Sequence, residues 1–212
     1  MDRPQLLIVI PCHNEAATLG GVVAGAAGRG QVLVVDDHST DSSRTLAAAA
    51  GATVIAAETP GYDGALETGL RAAHARGCSH VVTMDADGEH DPAVLADFAA
   101  AFAAGAPLVC GVRPSPQRIA EYAVAWDGRR RFGIDDLLCG MKGYSRPVLE
   151  MWIASGRPLH VNMTPAVMWR QAGGGMAQVR VTGERRVGPT RFGRALAANR
   201  AILKAYLEAV RG

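Results

Sequence analysis

Met84-Asp85-Ala86-Asp87-Gly88-Glu89-His90-Asp91-Pro92 gathers four carboxylates and an imidazole within nine residues. Asp85 and Asp87 stand two residues apart, a spacing that turns both side chains to one side of an extended backbone. Paired carboxylate oxygens suit a hard cation such as Mg2+ or Mn2+. Gly88 permits a tight turn behind them, so that Glu89 or His90 can complete a coordination shell. A plain acidic loop is the competing reading of the same residues.

Two earlier segments are polar in a way that suits a nucleoside. Ile10-Pro11-Cys12-His13-Asn14-Glu15 is either a proline turn into a helix whose acidic start suits the helix dipole or one wall of a binding site. Val35-Asp36-Asp37-His38-Ser39-Thr40-Asp41 is either a turn with a helix N-cap at Asp41 or a base-recognition loop. A carboxylate there can accept the ring N–H that uracil and guanine present and that cytosine lacks at N3. No GxGxxG accompanies these segments, which counts against a dinucleotide site. A fourth, diffuse set comprises Asp135-Asp136, Gly140-Met141-Lys142-Gly143-Tyr144 and Arg185-Arg186-Val187-Gly188-Pro189-Thr190-Arg191. Each alone reads as a solvated charged face. Together they offer cations for a diphosphate and a carboxylate for proton transfer.

Segments so far apart can act together only if the fold brings them to one place. Strand-like apolar runs at Leu6–Ile10, Val32–Val35, Thr53–Ala57, His80–Met84 and Leu108–Val112 alternate with helical patterns. The helices are expected from about Glu15, from Asp41, over Ala65–Ala75 and over Pro92–Phe102, with Asp91 as an N-cap and Pro92 in the first turn. This alternation predicts an α/β fold with a mostly parallel central sheet flanked by helices, and the polar segments follow the strand ends, where such sheets bind ligands. Beyond Arg113 the pattern weakens. A short helix is expected near Gln117–Trp126, a strand at Cys139–Tyr144, helices at Arg146–Ala154 and Pro165–Gln171, and a strand at Met176–Val181. The final helix, Arg194–Val210, sets Leu196, Leu203, Leu207 and Val210 on one face, a spacing that predicts packing against the domain.

The 212 residues, 49 % hydrophobic and 20 % charged with a formal net charge of +2, fit a single globular domain and exclude disordered and fibrous classes. The small basic excess gives no support to nucleic-acid binding. Cys12, Cys78, Cys110 and Cys139 form no CxxC pair, so lone buried thiols are expected instead of a zinc site or disulfides. No signal peptide and no transmembrane-length apolar run is read, so the expectation is a cytoplasmic protein. Peripheral contact with a membrane stays open through Arg129–Arg131 or through the last helix with Arg194, Arg200 and Lys204, against the plainer reading of a solvated basic rim.

In order and spacing these segments resemble the family 2 glycosyltransferases. IPCHNE is similar to the family's IPxxNE, VVDDHSTD to its VVDDGSTD, and MDADGEHDP to its DADGQHxP with the metal-binding DxD. Gly61-Tyr62-Asp63-Gly64-Ala65, followed by Gly69 and Gly77, resembles the glycine-marked helix before the DxD strand. The likeness covers residues 5–113 closely. Farther on, Asp136-Leu137-Leu138-Cys139-Gly140-Met141-Lys142 resembles the DxTSGFR segment, and Arg185 to Arg191 the RxxGxSK segment, of polyprenyl-phosphate (dolichol-phosphate type) mannosyltransferases.

The resemblance implies a single-domain GT-A fold with a nucleotide-sugar half, about residues 1–113, and an acceptor half with the C-terminal helix, about 114–212. It implies that Pro11, Asn14, Glu15, Asp36 and Asp37 hold the nucleoside, that Asp85, Asp87 and Glu89 face Mg2+ or Mn2+, with Asp85 also at the donor, and that Lys142, Arg185 and Arg191 contact phosphates or the acceptor. The implied reaction is inverting, metal-dependent transfer from a UDP- or GDP-sugar. A hydroxyl acceptor needs a base, Asp136 or its neighbour Asp135, whereas a phosphate acceptor, such as a polyprenyl phosphate, is already anionic. Two alternatives remain: a sugar-nucleotide-binding protein without catalysis, and a nucleotidyltransferase. The latter wants a glycine-rich basic loop where Pro11–Glu15 stands.

Overall fold

A strand sends successive side chains to opposite faces of its sheet, and strand β1 (Leu6–Cys12) uses both. Leu7 and Val9 enter one apolar core, and Ile8, Ile10 and Cys12 enter another. Strand β2 (Gln31–Asp36) divides in the same way, Leu33 and Val35 against Val32 and Val34. Burying each such aliphatic side chain contributes about 1.5–3 kcal/mol, which is why these runs are apolar without alternation. The computed structural model describes residues 6–115, 118–182 and 195–211.

The remaining strands are β3 (Thr53–Ala56), β4 (His80–Thr83), β5 (Leu108–Val112), β6 (Lys142–Ser145) and β7 (Ala177–Arg180). They form one seven-stranded sheet in the order β3-β2-β1-β4-β6-β5-β7. All pairings are parallel except those of β6, which runs antiparallel between β4 and β5. Helices α1 (Leu19–Ala27), α2 (Ser43–Ala49) and α4 (Leu95–Ala103) pack on the face that takes Ile8 and Ile10. The other face is covered by α3 (Tyr62–Ala75), α5 (Ile119–Phe132), α6 (Arg146–Ser155), α7 (Thr164–Gln171) and α8 (Ala195–Arg211). Gly69 lets α3 lie close to the sheet, since a Cβ there would strike the Val9 side chain.

The expected α/β architecture holds, with differences that have physical causes. Helix α1 begins at Leu19, not near Glu15, because Asn14 takes a left-handed conformation (φ 54°) and residues 13–18 form a turn. Asp41 is one residue ahead of the α2 N-cap, yet its carboxylate still accepts the Ser43 N–H at 2.9 Å. Asp91 caps the 3-10 turn Pro92–Val94 by accepting the Ala93 N–H at 2.8 Å. Helix α5 runs farther than Trp126, to a left-handed stop at Gly133. Strand β6 starts at Lys142 instead of Cys139, because Gly140 passes against Asp85 and a Cβ there would collide with its carboxylate. The stripe assigned to the last helix needs correction: Ala198, Ile202, Tyr206 and Ala209 face the core, while Leu203 and Leu207 are exposed and only Val210 of the predicted set is buried. The side chain of Leu196 lies outside the described residues. All four cysteines are buried and free, as expected. Among the described residues no helix is long and apolar enough to cross a membrane.

Candidate functional site

The loops after β1 and β2 are interlocked by short polar side chains. Asn14 accepts the backbone N–H groups of Thr40 (2.8 Å) and Asp41 (3.3 Å) on its side-chain oxygen, and its own N–H donates to Ser39 Oγ at 3.0 Å. The Glu15 N–H donates to Ser43 Oγ at 2.9 Å, and the Ala16 N–H to Asp41 at 3.2 Å. Asn14 and His38 both have positive φ, which turns the two loops toward each other at the carboxyl ends of their strands. Pro11 is buried inside β1. Asp36, buried at the end of β2, accepts the Ser39 N–H at 3.3 Å. Asp37 reaches the third segment: its two oxygens accept the Gly61 N–H at 3.0 and 2.9 Å, fixing the start of α3. Five residues expected at the nucleoside thus form one cluster, in which Asn14 and Asp37 also act as fasteners.

The turn after β4 joins this cluster through Tyr62, whose O–H donates to Asp85 Oδ1 at 2.9 Å. Thr18 ties the turn to the β1 loop by donating to the Ala86 carbonyl at 2.7 Å. Asp87 is buried and accepts the Glu89 N–H at 3.1 Å. His90 is buried with Nδ1 facing the Asp85 N–H at 3.4 Å, so that nitrogen is engaged by backbone. Among the described residues no three Asp, Glu, His or Cys side chains converge to hold a cation, so the expected shell of Asp85, Asp87 and Glu89 is not assembled. Asp85 and Asp87 are the carboxylates this turn offers, and a hard cation there would take most of its oxygens from phosphate and water.

Below the turn lies a buried polar network. Asn162 donates to Thr83 Oγ1 at 2.7 Å and to the Gly140 carbonyl at 3.0 Å, while Tyr144 donates to Asn162. Val161 and Asn162 both have positive φ, and for a β-branched valine that is strain held by surrounding structure. Asp63, with one carboxylate oxygen buried and lacking a partner, accepts from the Val161 backbone, and burial pushes its carboxyl up to about 6.

A second polar group is organised around Arg113, which follows β5. Its Nε donates to Asp136 Oδ2 at 2.7 Å and its Nη2 to Oδ1 at 3.0 Å, and its backbone N–H adds a third bond at 3.2 Å. Glu121 of α5 completes the group, 3.3 Å from Arg113 and 3.2 Å from Arg118. Burial would raise the Asp136 carboxyl, but the hydrogen bonds and charge of Arg113 prevail and hold it below the ordinary carboxylate range. Asp135 is paired with Arg129 at 2.6 Å. Asp135, Asp136, Arg113 and Glu121 line a cavity of about 180 Å3.

Lys142 requires a correction. It is fully buried, its ammonium donates to the Cys139 carbonyl at 2.5 Å, and burial lowers its basicity. A side chain so enclosed does not reach a ligand phosphate. Arg185 and Arg191 lie outside the described residues.

Sequence reasoning missed Tyr62 as a partner of Asp85, Arg113 as the partner of Asp136, and the Thr83–Asn162 network. Arg113 had a usable signal, since it follows a strand in a sheet that binds at strand ends. Asn162 had none, because its placement depends on tertiary packing.

Residues 7–149 match the model of the family described as Glycosyl transferase family 2. An uncharacterized glycosyltransferase of Mycobacterium tuberculosis is 32% identical over 184 residues, covering 80% of this chain and 83% of the relative. Polyprenol monophosphomannose synthase of Mycolicibacterium smegmatis is 33% identical over 183 residues, covering 69% of this chain and 63% of that protein. Among solved structures, glucosyl-3-phosphoglycerate synthase from Mycobacterium tuberculosis with Mn2+, UDP and glucosyl-3-phosphoglycerate superposes with a TM-score of 0.78 at 22% identity, over 97% of this chain and 80% of that one. The same enzyme with Mg2+ and UDP gives a TM-score of 0.79. At that identity the likeness establishes the fold, a GT-A arrangement.

Proposed function

The chain belongs to glycosyl transferase family 2 and is a glycosyltransferase; on that premise we propose that it moves a sugar from a nucleoside diphosphate to a hydroxyl or phosphate acceptor, inverting the anomeric carbon. The observation that carries this reading is the joining of three loops, after β1, β2 and β4, by Asn14, Asp37 and Tyr62 at the carboxyl ends of parallel strands. Ligands bind there in open α/β sheets.

Pro11, Asn14, Glu15, Asp36 and Asp37 frame the nucleoside in this reading. An ionised carboxylate has about four acceptor sites, so Asp36 and Asp37 keep capacity for a base N–H beyond their bonds to Ser39 and Gly61. Asp85 and Asp87 are the residues that would hold Mg2+ or Mn2+, in keeping with the cations bound by glucosyl-3-phosphoglycerate synthase. When bound, such a cation neutralises the charge that grows on a diphosphate as the sugar bond breaks. Tyr62 orients Asp85 by donating to Oδ1, and Gly140 packs against the same carboxylate. Arg185 and Arg191 are assigned to the diphosphate, where guanidinium groups make bidentate contacts.

One observation favours the phosphate acceptor over the hydroxyl. Both candidate bases are already paired with arginines, and Asp136 is held below the ordinary carboxylate range, which makes it a poor proton acceptor. In this reading Asp136 positions Arg113 beside an acceptor that is anionic on arrival. A relative named polyprenol monophosphomannose synthase points the same way.

A thermal-shift screen of UDP-, GDP- and dTDP-sugars with Mn2+ tests the donor reading, because a ligand that binds only the folded state stabilises it by mass action. A rise selective for one base and dependent on the metal is expected. No rise with any sugar nucleotide overturns the proposal.

A further inference from the structure

Six large hydrophobic residues are exposed among the described residues, and five of them sit on two helices: Ile119, Tyr122 and Trp126 on α5, and Leu203 and Leu207 on α8. Ile119 is 83%, Tyr122 59% and Trp126 64% exposed. Their spacing of three and four residues places them on one face of α5, opposite the face that sends Ala120, Val124 and Phe132 into the core. Helix α5 is therefore apolar on both sides, and packing within the chain explains only one of them.

The cations around these residues are concentrated in the same places. Arg130 lies over the Trp126 ring at 5.7 Å, whereas Arg129 is paired with Asp135. On α8, Arg200, Leu203, Lys204, Leu207 and Arg211 share one side and line an open groove of about 840 Å3 with Arg157. Glu208 offsets part of that charge through Lys204, 3.7 Å away. The two helices pack together, with the Tyr206 hydroxyl donating to Asp127 and the Ala120 N–H to Asn199 at 3.4 Å. A chain whose formal net charge is only +2 thus gathers cations beside its exposed aromatic and aliphatic side chains.

We propose that the outer faces of α5 and α8 dock on an anionic bilayer surface. Tyrosine and tryptophan favour the headgroup level, where the ring is buried and the polar end stays wet. Arginine and lysine add attraction to anionic lipid. A second copy of the chain fits less well. Ile119, Tyr122, Ala123, Trp126 and Arg130 include no carboxylate, so a copy laid on this face would bring Arg130 no counter-charge. The inner face of α5 carries Glu121, which pairs with Arg113. A bilayer on the outer face would lie about one helix diameter, roughly 10 Å, from the Arg113–Asp136 pair. The docking surface stands on exposure and charge alone and is independent of the donor reading.

Flotation of the purified chain with phosphatidylcholine vesicles, with and without phosphatidylglycerol, tests this. The chain is expected to float with the phosphatidylglycerol vesicles only, and less so as salt screens the attraction. The double variant Tyr122→Ser/Trp126→Ser should stay at the bottom, and Arg130→Gln and Lys204→Gln should each weaken partition about fivefold. Unchanged melting temperatures and sugar-nucleotide binding would show that these variants fold. The proposal is overturned if the wild-type chain does not float with phosphatidylglycerol, or if the double variant floats equally well. It is overturned too if sedimentation without lipid reveals a dimer that the double variant dissolves, since the face would then belong to a second copy.

Discussion

The loops after β1, β2 and β4 and the region around Arg113 are both rich in carboxylates but pair them with different partners. In the first region Asp36, Asp37, Asp41 and Asp85 accept mainly from backbone N–H groups and hydroxyls. Arg44, 3.8 Å from Asp36, is a peripheral exception. Such bonds fix geometry while leaving negative charge in place. In the second region Arg113 meets Asp136 and Glu121, and Arg129 meets Asp135, so the charges cancel within the protein. The contrast teaches that a count of carboxylates does not locate chemistry. What matters is whether the partner is a neutral dipole or a cation.

The largest expected effect breaks the first region. Asp85→Ala and Asp87→Ala should each lower kcat by about 10²–10³, the scale of losing a preorganised electrostatic group, as read in steady-state transfer with Mn2+. Retained turnover would mean that these two carboxylates have no catalytic role.

Asp136→Asn sharpens the second region. A general base contributes about 10²–10⁴ in rate, whereas a residue that only positions Arg113 should cost about tenfold or less, with the loss mainly in KM for the acceptor. The smaller effect is expected, and a pH–rate profile of wild type and variant separates the roles, because only a base carries its own titration into the profile.

Asn14→Ala should destabilise the chain by about 1–2 kcal/mol, since it removes two acceptor contacts of an exposed side chain and leaves alanine at a left-handed φ. Chemical denaturation measures that loss. The same variant should raise KM for the donor more than it lowers kcat, because it loosens the loops and not the reacting groups.

An effect confined to high pH concerns Asp63. Its carboxyl is pushed up to about 6 by burial, above the unfolded value near 4, so the folded state binds the proton more tightly. The stability this provides is present below about pH 4 and is lost as pH rises toward and past 6. Asp63→Asn, which cannot ionise, should therefore melt higher than wild type at pH 8, by an upper bound of roughly 3 kcal/mol, and equally at pH 4. A melting series across that range checks the sign.

The first region was legible in the sequence because its polar residues are contiguous with the strands that carry them. A buried parallel strand announces itself as an apolar run, and the residues after it fall at the binding edge. Pro11 to Glu15, Asp36 to Asp41 and Asp85 to Asp91 could all be placed on that ground. The region around Arg113 resisted because its meaning lies in long-range pairs. Arg113 and Asp136 are separated by helix α5, and no local pattern says that one neutralises the other. Lys142 looked like a phosphate ligand beside two glycines, but β6 turns it inward. The sequence predicts only a short helix near Gln117–Trp126, because prolines precede it and the Arg129–Arg131 run follows, whereas α5 runs on to Phe132 with an apolar outward face. That face stands out in the folded chain.

The central claim is that Asp85 and Asp87 form a pair of carboxylates poised for a cation and the diphosphate of a sugar nucleotide. Isothermal titration of the preferred nucleoside diphosphate into wild type and Asp85→Ala, with Mn2+ and again with EDTA, tests it directly. The account predicts tight binding only to wild type with Mn2+, weakened to a common low level by EDTA or by the substitution. Equal affinity in EDTA, or in Asp85→Ala with Mn2+, would contradict it.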